Sequence, residues 1–377
     1  MTTPVYVVRS RTQQDALVRL QSDPIVRGAL ERAPGAAVTI APRDLGHVPQ
    51  GSCVVFHFND GPAINSVRSL VRSGQNLTAV CLGSDIYSFH PYLALHDFVS
   101  FYVMPTEQHR RILASQVCKP VFTLPEGIDS IVGCHPGSPV AFPEKMSSRV
   151  MWFGYPESFE KGMASLVPIL QLSIAENRIS SFDLIVGLNK FKNRFGFTTI
   201  PFTAEDFATR ARSYDYCLLS HFSLDLSVNS YIKSPNKLVT ALMLGLIPIA
   251  SRTPSYEALL VEFGLTRFLY ESPAQLKALL EGLNPTEDAR TIRSSGILEG
   301  IARMYSDSAI SGEFLRILST FTRENESECF ELTPEKVLLG KPEVGLNEHL
   351  LDLVPSAARA FRARWRQMKA IHGAFTS

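Results

Sequence analysis

Short apolar runs alternate with helix-like segments along most of the chain. The strand-like runs begin with Val5–Val8 and continue through Ser52–Phe58 (SCVVFHF) and Leu77–Leu82 to Leu246–Ser251. Apolar strands that are separated by helices are typical of a parallel sheet with helices on both faces. The alternation therefore predicts an α/β fold.

The alternation is interrupted between Ser130 and Ser148, where glycine and proline are concentrated. Such a stretch is typical of a connection between domains. We therefore expect two α/β domains of similar size, an N-terminal one over residues 1–145 and a C-terminal one over residues 146–323. Residues 324–377 follow as a C-terminal extension, which we expect to be partly helical.

Composition and charge restrict the class of protein. The chain has 377 residues, is 45% hydrophobic and carries a formal net charge of +1, so nucleic acid is not indicated as a partner, though it is not excluded. The six cysteines form no CxxC pair and favour a reducing compartment. We see no leader-like N-terminus and no apolar stretch long enough to span a bilayer, and we expect a cytoplasmic protein.

The segment from Tyr231 to Glu257 (YIKSPNKLVTALMLGLIPIASRTPSYE) is the most informative part of the sequence. It predicts a loop, a buried helix, a buried strand and the start of another helix. Ser234 is the expected N-cap and Pro235 the expected first helical residue, because proline is well tolerated at that position. Gly245 is expected to end the helix with a positive φ.

The start of this helix predicts an anion site. The first N–H groups of a helix have no partner within it, and the helix dipole adds partial positive charge there. Lys233 and Lys237 bracket this end, and Ser234 and Asn236 add hydrogen-bonding groups. These groups suit a phosphate or diphosphate. The alternative is a capped core helix with two solvated lysines.

Further polar groups follow other predicted strands. Asn59 and Asp60 follow Ser52–Phe58, and Gly83-Ser84-Asp85 follows Leu77–Leu82. In open parallel sheets, ligands bind beyond the carboxyl ends of the strands. Two such domains facing each other would enclose a cleft, which is a common place for a small-molecule site.

Five segments resemble, in order and spacing, motifs of the GT-B glycosyltransferases. The resemblance implies two Rossmann-like, doubly wound domains that face a cleft, with a nucleotide-sugar donor on the C-terminal domain and an acceptor on the N-terminal one. It also implies that the late helices cross back to the first domain. The segments are VFTLPEGID (121–129), RVMWFGYPES (149–158), FTAEDFATRARSYDYCLLS (202–220), ALMLGLIPIAS (241–251) and MYSDSAISGEFLRIL (304–318).

The sequence also departs from the pattern of that family. Many retaining members carry two glutamates eight residues apart at the positions of Ile232 and Thr240. The stereochemistry of transfer therefore stays open. No Asp-x-Asp follows a predicted strand, and GT-B enzymes generally work without a metal. The resemblance thus implies no metal and no cofactor, with the nucleotide-sugar as the donor substrate.

The resemblance gives roles to several more residues. Gly154 and Tyr155 are expected to approach the diphosphate, although Gly154 could simply end a strand. Glu257 is expected to contact the donor sugar or ribose, or else to favour a helix N-terminus by its charge. An inverting reaction needs a base for the acceptor hydroxyl. Asp85 is the first candidate, with a helix cap as its alternative, and His57 the second, with a buried core role as its alternative.

Basic and apolar residues are concentrated within residues 350–372. This composition favours an amphipathic basic helix that contacts a membrane leaflet, where a lipid-linked acceptor would lie, or another subunit. Peripheral contact with the inner membrane face is one option, and a terminal helix packed on the body is the alternative. The basic residues are Arg359, Arg362, Arg364, Arg366 and Lys369.

The sequence thus predicts a glycosyltransferase that moves a sugar from a nucleotide-sugar to an acceptor hydroxyl. The acceptor is expected to be a glycan or a lipid-linked glycan, in the biosynthesis of a surface polysaccharide. Two alternatives stay open: a GT-B nucleotide-sugar epimerase, and a non-catalytic two-domain protein that binds a nucleotide or a glycan.

Overall fold

The computed structural model describes residues 3–327, apart from residues 12–14, 34, 85–89, 134–139, 141, 143–146, 188–193 and 222–227. These residues form two six-stranded sheets with helices around them, and every described strand pair is parallel. The predicted α/β architecture is confirmed. Among the helices described, none combines the length and the apolar composition that a bilayer crossing requires.

The first sheet and its helices make up the first lobe. Its strand order is β2-β1-β3-β4-β5-β6. The strands are β1 (Val5–Val8), β2 (Ala37–Ile40), β3 (Cys53–His57), β4 (Thr78–Leu82), β5 (Phe101–Met104) and β6 (Val121–Thr123). The helices between them are α1 (Asp23–Arg32), α2 (Gly61–Arg72), α3 (His90–Leu93) and α4 (Glu107–Ala114).

The second sheet and its helices make up the second lobe. Its strand order is β12-β11-β10-β7-β8-β9. The strands are β7 (Arg149–Gly154), β8 (Ser181–Val186), β9 (Thr198–Pro201), β10 (Tyr216–Leu219), β11 (Ile247–Ser251) and β12 (Leu269–Tyr270). The helices are α5 (Pro156–Met163), α6 (Val167–Ala175), α7 (Ala204–Ala211), α8 (Val228–Ile232), α9 (Asn236–Met243), α10 (Pro254–Glu262), α11 (Pro273–Glu281), α12 (Pro285–Ser294) and α13 (Ile297–Tyr305). The last described helix, α14 (Asp307–Ser327), follows them in the chain but packs against the first lobe.

Each sheet winds outward in both directions from an internal strand. In the second lobe the order reverses between β7 and β10, and in the first lobe between β1 and β3. The carboxyl edge at such a reversal is where the chain leaves room for a ligand. A ligand-binding site is therefore expected at these two edges.

The last described helix completes the core of the first lobe. Along β1, Val5 and Val7 lie in one apolar cluster, and Val8 lies in the cluster on the other face of the sheet. Phe314 and Ile317 of α14 belong to the cluster of Val5 and Val7, and α14 packs against α1. The late helices thus cross back to the first lobe, as the resemblance implies.

Two predicted helices are broken in the structure. The sequence predicts one helix over residues 158–176, but the structure divides this region into α5 and α6, and Pro168 lies in the first turn of the second piece. Proline lacks an N–H and fits the start of a helix rather than its interior. The sequence also predicts one helix over residues 287–305, but the structure forms α12 and α13, which are separated by Gly296 at φ +77°. That backbone conformation is incompatible with a continuous helix.

Candidate active site at the start of α9

Helix α9 begins one residue later than its sequence predicts. Asn236 is its first residue, and Pro235 occupies the N-cap position without a side-chain cap. The prediction that Ser234 is the N-cap residue is wrong by one position, although the Ser234 hydroxyl does accept a long hydrogen bond from the N–H of Asn236 at 3.4 Å. Gly245 ends the helix region at φ +79°, as predicted.

The Ser234 hydroxyl donates to the carboxylate of Glu126 in the first lobe. Ser234 is only 1% exposed, so this bond is shielded from water. Glu126 follows β6 and also accepts a hydrogen bond from Gln21 Nε2 at 3.0 Å. The start of α9 is therefore turned toward the first lobe and joined to it.

Lys237 lies over the end of β7. Its Nζ donates to the carbonyl oxygen of Phe153 at 3.0 Å and lies 4.9 Å from the centre of the Trp152 ring. Gly154 follows at φ +153°, and a Cβ placed there would lie 2.6 Å from Lys237 Nζ. The glycine thus leaves the space that the ammonium group occupies at the reversal between β7 and β10.

His221 follows β10 at the same edge and lies close to Lys233 and Lys237. The pKa of His221 is lowered well below its ordinary value of 6.5, mainly by burial and to a smaller extent by the charges of Lys233 and Lys237. Its Nε2 lies 2.7 Å from the Tyr256 hydroxyl. The histidine is therefore neutral at pH 7, and the two lysines supply the positive charge at this edge.

Asn236 and Tyr155, which are also predicted to bind the diphosphate, lie beside the start of α9 and the end of β7. The side-chain oxygen of Asn236 is buried and has no hydrogen-bond partner among the described residues. Tyr155 is 66% exposed, and its ring lies 3.9 Å from the position of a Cβ at Gly187, beyond the end of β8. An acceptor oxygen and an exposed ring are thus available beside the lysines.

Glu257 lies in the first turn of α10 and is paired within the second lobe. Its carboxylate accepts a hydrogen bond from Arg252 Nη1 at 2.7 Å. The sequence predicts that Pro254-Ser255 caps this helix, but Ser255 donates to the Lys233 carbonyl, and Thr253 is the N-cap residue. A contact between Glu257 and a sugar would have to compete with the Arg252 pair.

In the first lobe, His57 is the last residue of β3 and is fully buried. Its Nε2 lies 2.5 Å from Ser22 Oγ, and its Nδ1 has no hydrogen-bond partner among the described residues. Burial is the main cause that lowers the pKa of His57 to about 4. Asp60 caps α2 and accepts from the backbone N–H of Ser10 at 2.8 Å. Asp85, the first candidate for the base, lies outside the described residues.

Sequence reasoning missed three residues that surround the start of α9. They are Glu126, Thr106 and His221. Glu126 stands within VFTLPEGID (121–129), which indicated only a family resemblance, and a glutamate after a strand was the signal that could have identified it. For Thr106 the sequence predicts only the cap of a helix over residues 106–115, and it does cap α4, since its hydroxyl accepts from His109 N–H at 3.2 Å.

A scan against protein-family models found no match, and a search of curated proteins found no relative. Solved structures do resemble the chain. A mutant of TarM from S. aureus, in complex with fondaparinux, alpha-GlcNAc-glycerol and UDP, has a TM-score of 0.52 and 10% identity, over 71% of this chain and 55% of TarM. This chain therefore spans about half the length of TarM.

Two more solved structures match over most of this chain. The UDP-forming α,α-trehalose-phosphate synthase from Burkholderia vietnamiensis has a TM-score of 0.57 and 11% identity, over 86% of this chain and 99% of that one. A mutant O-GlcNAc transferase from Thermobaculum terrenum has a TM-score of 0.53 and 10% identity, over 86% of this chain and 69% of that one. With its two Rossmann-like lobes, the chain therefore has the GT-B fold.

Proposed function

We propose that the protein is a glycosyltransferase that moves a sugar from a nucleotide-sugar donor to an acceptor hydroxyl. The observation that carries the proposal is the position of the α9 start at the reversal of the second sheet, with Lys237 over the end of β7 and the first lobe opposite. A helix start with adjacent lysines suits a diphosphate, and the chemistry of glycosyl transfer needs that charge stabilised as it builds up.

The residues at the carboxyl edge of the second sheet have different roles in binding the donor. The first N–H groups of α9, Asn236 and the ammonium groups of Lys233 and Lys237 stabilise the leaving diphosphate. Ser234 contributes through its position, because a direct bond from its hydroxyl to the diphosphate would require release from Glu126. Gly154 lets Lys237 approach the strand end.

The flanks of the edge hold the rest of the donor. Tyr155 presents an exposed ring beside the diphosphate position, and Glu257 contacts the sugar or ribose once it leaves Arg252. UDP is the first nucleotide to test, because the synthase is described as UDP-forming and the TarM complex contains UDP.

Asp85 is the proposed base for the acceptor hydroxyl. A carboxylate that follows β4 would lie at the carboxyl edge of the first sheet, which faces the second lobe. His57 is the second candidate, but its complete burial favours a core role. The acceptor is proposed to be a glycan or a lipid-linked glycan of a surface polysaccharide, reached from the cytoplasmic side, with residues 350–372 as a membrane or subunit contact.

The experiment has two stages. Thermal-shift titrations with UDP, GDP, CMP and their sugars identify the donor, and a binding nucleotide is the expected result. Hydrolysis and transfer assays with that donor then separate an enzyme from a binding protein, and product analysis separates transfer from epimerisation. Absence of binding by every nucleotide would contradict the proposal, and binding without turnover would favour the non-catalytic alternative.

A further inference from the structure

Three consecutive residues, Ile232–Ser234, run between the lobes immediately before α9, and we refer to them as the strap. The Ile232 side chain is fully buried in the apolar cluster of the first lobe. Its carbonyl oxygen accepts a hydrogen bond from Thr106 Oγ1 at 2.9 Å. The chain of the second lobe is thus anchored in the core of the first.

The next two residues of the strap alternate between the lobes. The carbonyl oxygen of Lys233 accepts from Ser255 Oγ of the second lobe at 2.5 Å. The hydroxyl of Ser234 donates to Glu126 of the first lobe. Each residue of the strap is therefore fixed by a hydrogen bond or by core packing, and two of the three are fixed by the first lobe.

The first-lobe partners are themselves held rigidly. Thr106 is buried and caps α4, so its hydroxyl accepts one hydrogen bond and donates another. Glu126 is bonded to Gln21 Nε2, and the same nitrogen donates to the Gly83 carbonyl at 2.8 Å. Because these groups are buried, their hydrogen bonds are protected from exchange with water and from misorientation.

The strap ends two residues before the first residue of α9. Its position therefore sets where the helix start and Lys233 lie relative to the first lobe. Separating the lobes would have to break the Thr106 and Glu126 bonds and expose Ile232, or else move the strap with the first lobe. Neither outcome leaves the start of α9 in place.

We infer that Thr106 and Glu126 are positioning residues, through which the first lobe sets the nucleotide affinity of the second. This inference rests on the proposed function only for the identity of the ligand. Neither residue needs to touch the nucleotide, because each acts through the strap. A nucleotide that binds at α9 would in turn hold the lobes together, since binding and positioning are reciprocal.

The test is Thr106→Val, which keeps the shape of the side chain and removes its hydroxyl. Thr106→Ser restores the hydroxyl. Thr203→Val is the matched control, because Thr203 caps α7 in the same way but contacts no residue of the strap among the described contacts. Two readouts are measured for each variant: the Kd of UDP, and hydrogen exchange of residues 233–243.

We expect Thr106→Val to weaken UDP binding about fivefold and to speed exchange at the start of α9, in keeping with the loss of one buried hydrogen bond. Thr106→Ser and Thr203→Val should stay within about twofold of the wild type in Kd. Unchanged exchange in Thr106→Val would overturn the inference, as would an equal loss of affinity in Thr203→Val. If the wild type binds no nucleotide, the proposed function fails, and the exchange readout alone decides on the strap.

Discussion

The ammonium group of Lys237 and the carbonyl oxygen of Phe153 lie 3.0 Å apart, and this contact joins the start of α9 to the end of β7. Lys237 is the second residue of its helix, so its charge adds to that of the helix dipole. The contact holds the positive charge at the reversal of the second sheet, where the account places a diphosphate.

Replacing Lys237 by alanine is expected to weaken nucleotide binding by tenfold or more, because a charged hydrogen bond to a phosphate contributes about 1.5–3 kcal/mol. Lys277→Ala is the control, since Lys277 lies on α11 and pairs with Glu281 at the surface. The Kd of UDP, measured by calorimetry, should change only in the first variant. An unchanged Kd in Lys237→Ala removes that residue from the site.

Gly154→Ala tests the space around the ammonium group. The new Cβ would lie 2.6 Å from Lys237 Nζ and 2.9 Å from Trp152 Cη2, on a backbone at φ +153°. We expect weaker UDP binding together with a lower Tm. Gly264→Ala is the matched control: its φ is +69° but nothing lies within 4 Å, so a stability loss of about 1 kcal/mol without a change in affinity is expected. Equal effects on affinity in both variants would show that backbone strain alone is responsible.

The buried histidine His57 predicts a loss of stability in mild acid. Its pKa is about 4 in the folded protein, chiefly through burial, and about 6.5 in the unfolded chain; Asp15 and Asp60 raise it, and Arg11 and Arg9 lower it. The unfolded chain therefore binds the extra proton first as the pH falls below 6.5. The contribution of His57 to the free energy of unfolding is fully present above pH 6.5 and is lost progressively as the pH falls toward 4.

Between pH 7 and pH 5, His57 is expected to lower the free energy of unfolding by about 2 kcal/mol. In His57→Gln, the drop in the free energy of unfolding over the same pH range should be smaller by about 2 kcal/mol. Urea unfolding at the two pH values measures it. The pKa of His221 is also lowered, so His221 also makes the protein less stable as the pH falls. His221 is still present in His57→Gln, so its part of the pH dependence remains in that variant. Identical pH dependence in wild type and variant would contradict the buried neutral state of His57.

Asp85→Asn is expected to leave the Kd of UDP unchanged and to lower the transfer rate by about a hundredfold or more, as removal of a general base does. Asp97→Asn is the control, because Asp97 is a surface carboxylate paired with Arg72. Single-turnover transfer with saturating donor gives the rate. A fully active Asp85→Asn would end the candidacy of Asp85 and return attention to His57.

Chelation tests the prediction that no metal takes part. Positive charge at the leaving diphosphate comes in this account from α9, Lys233 and Lys237, so EDTA should leave the transfer rate within about twofold. Restoration of a lost rate by Mg²⁺ or Mn²⁺ would show that the lysines do not suffice.

Much of the fold could be predicted because its signals are local. The sequence predicts strands at Val5–Val8 and Ala37–Ile40, and β1 and β2 have these bounds, since each is a short apolar run between turn residues. The helix break at Gly296 was missed, because a single glycine is often tolerated within a helical pattern and only its positive φ ends the helix here.

The parts of the site that were missed depend on distant partners. The sequence predicts a polar loop over residues 221–233, yet α8 lies within this range, and its last residue, Ile232, is buried. Thr106 and the strap are separated by 126 residues along the chain, and Glu126 and Ser234 by 108. The local sequence around Ile232 does not indicate which of the apolar cores will bury this side chain.

The most direct measurement is a crystal structure of the protein with bound UDP. We expect the diphosphate to lie within hydrogen-bond distance of the first backbone N–H groups of α9 and of Lys237 Nζ, with the first lobe opposite. A nucleotide bound away from the start of α9, while Ser234 and Lys237 keep their bonds to Glu126 and Phe153, would contradict it.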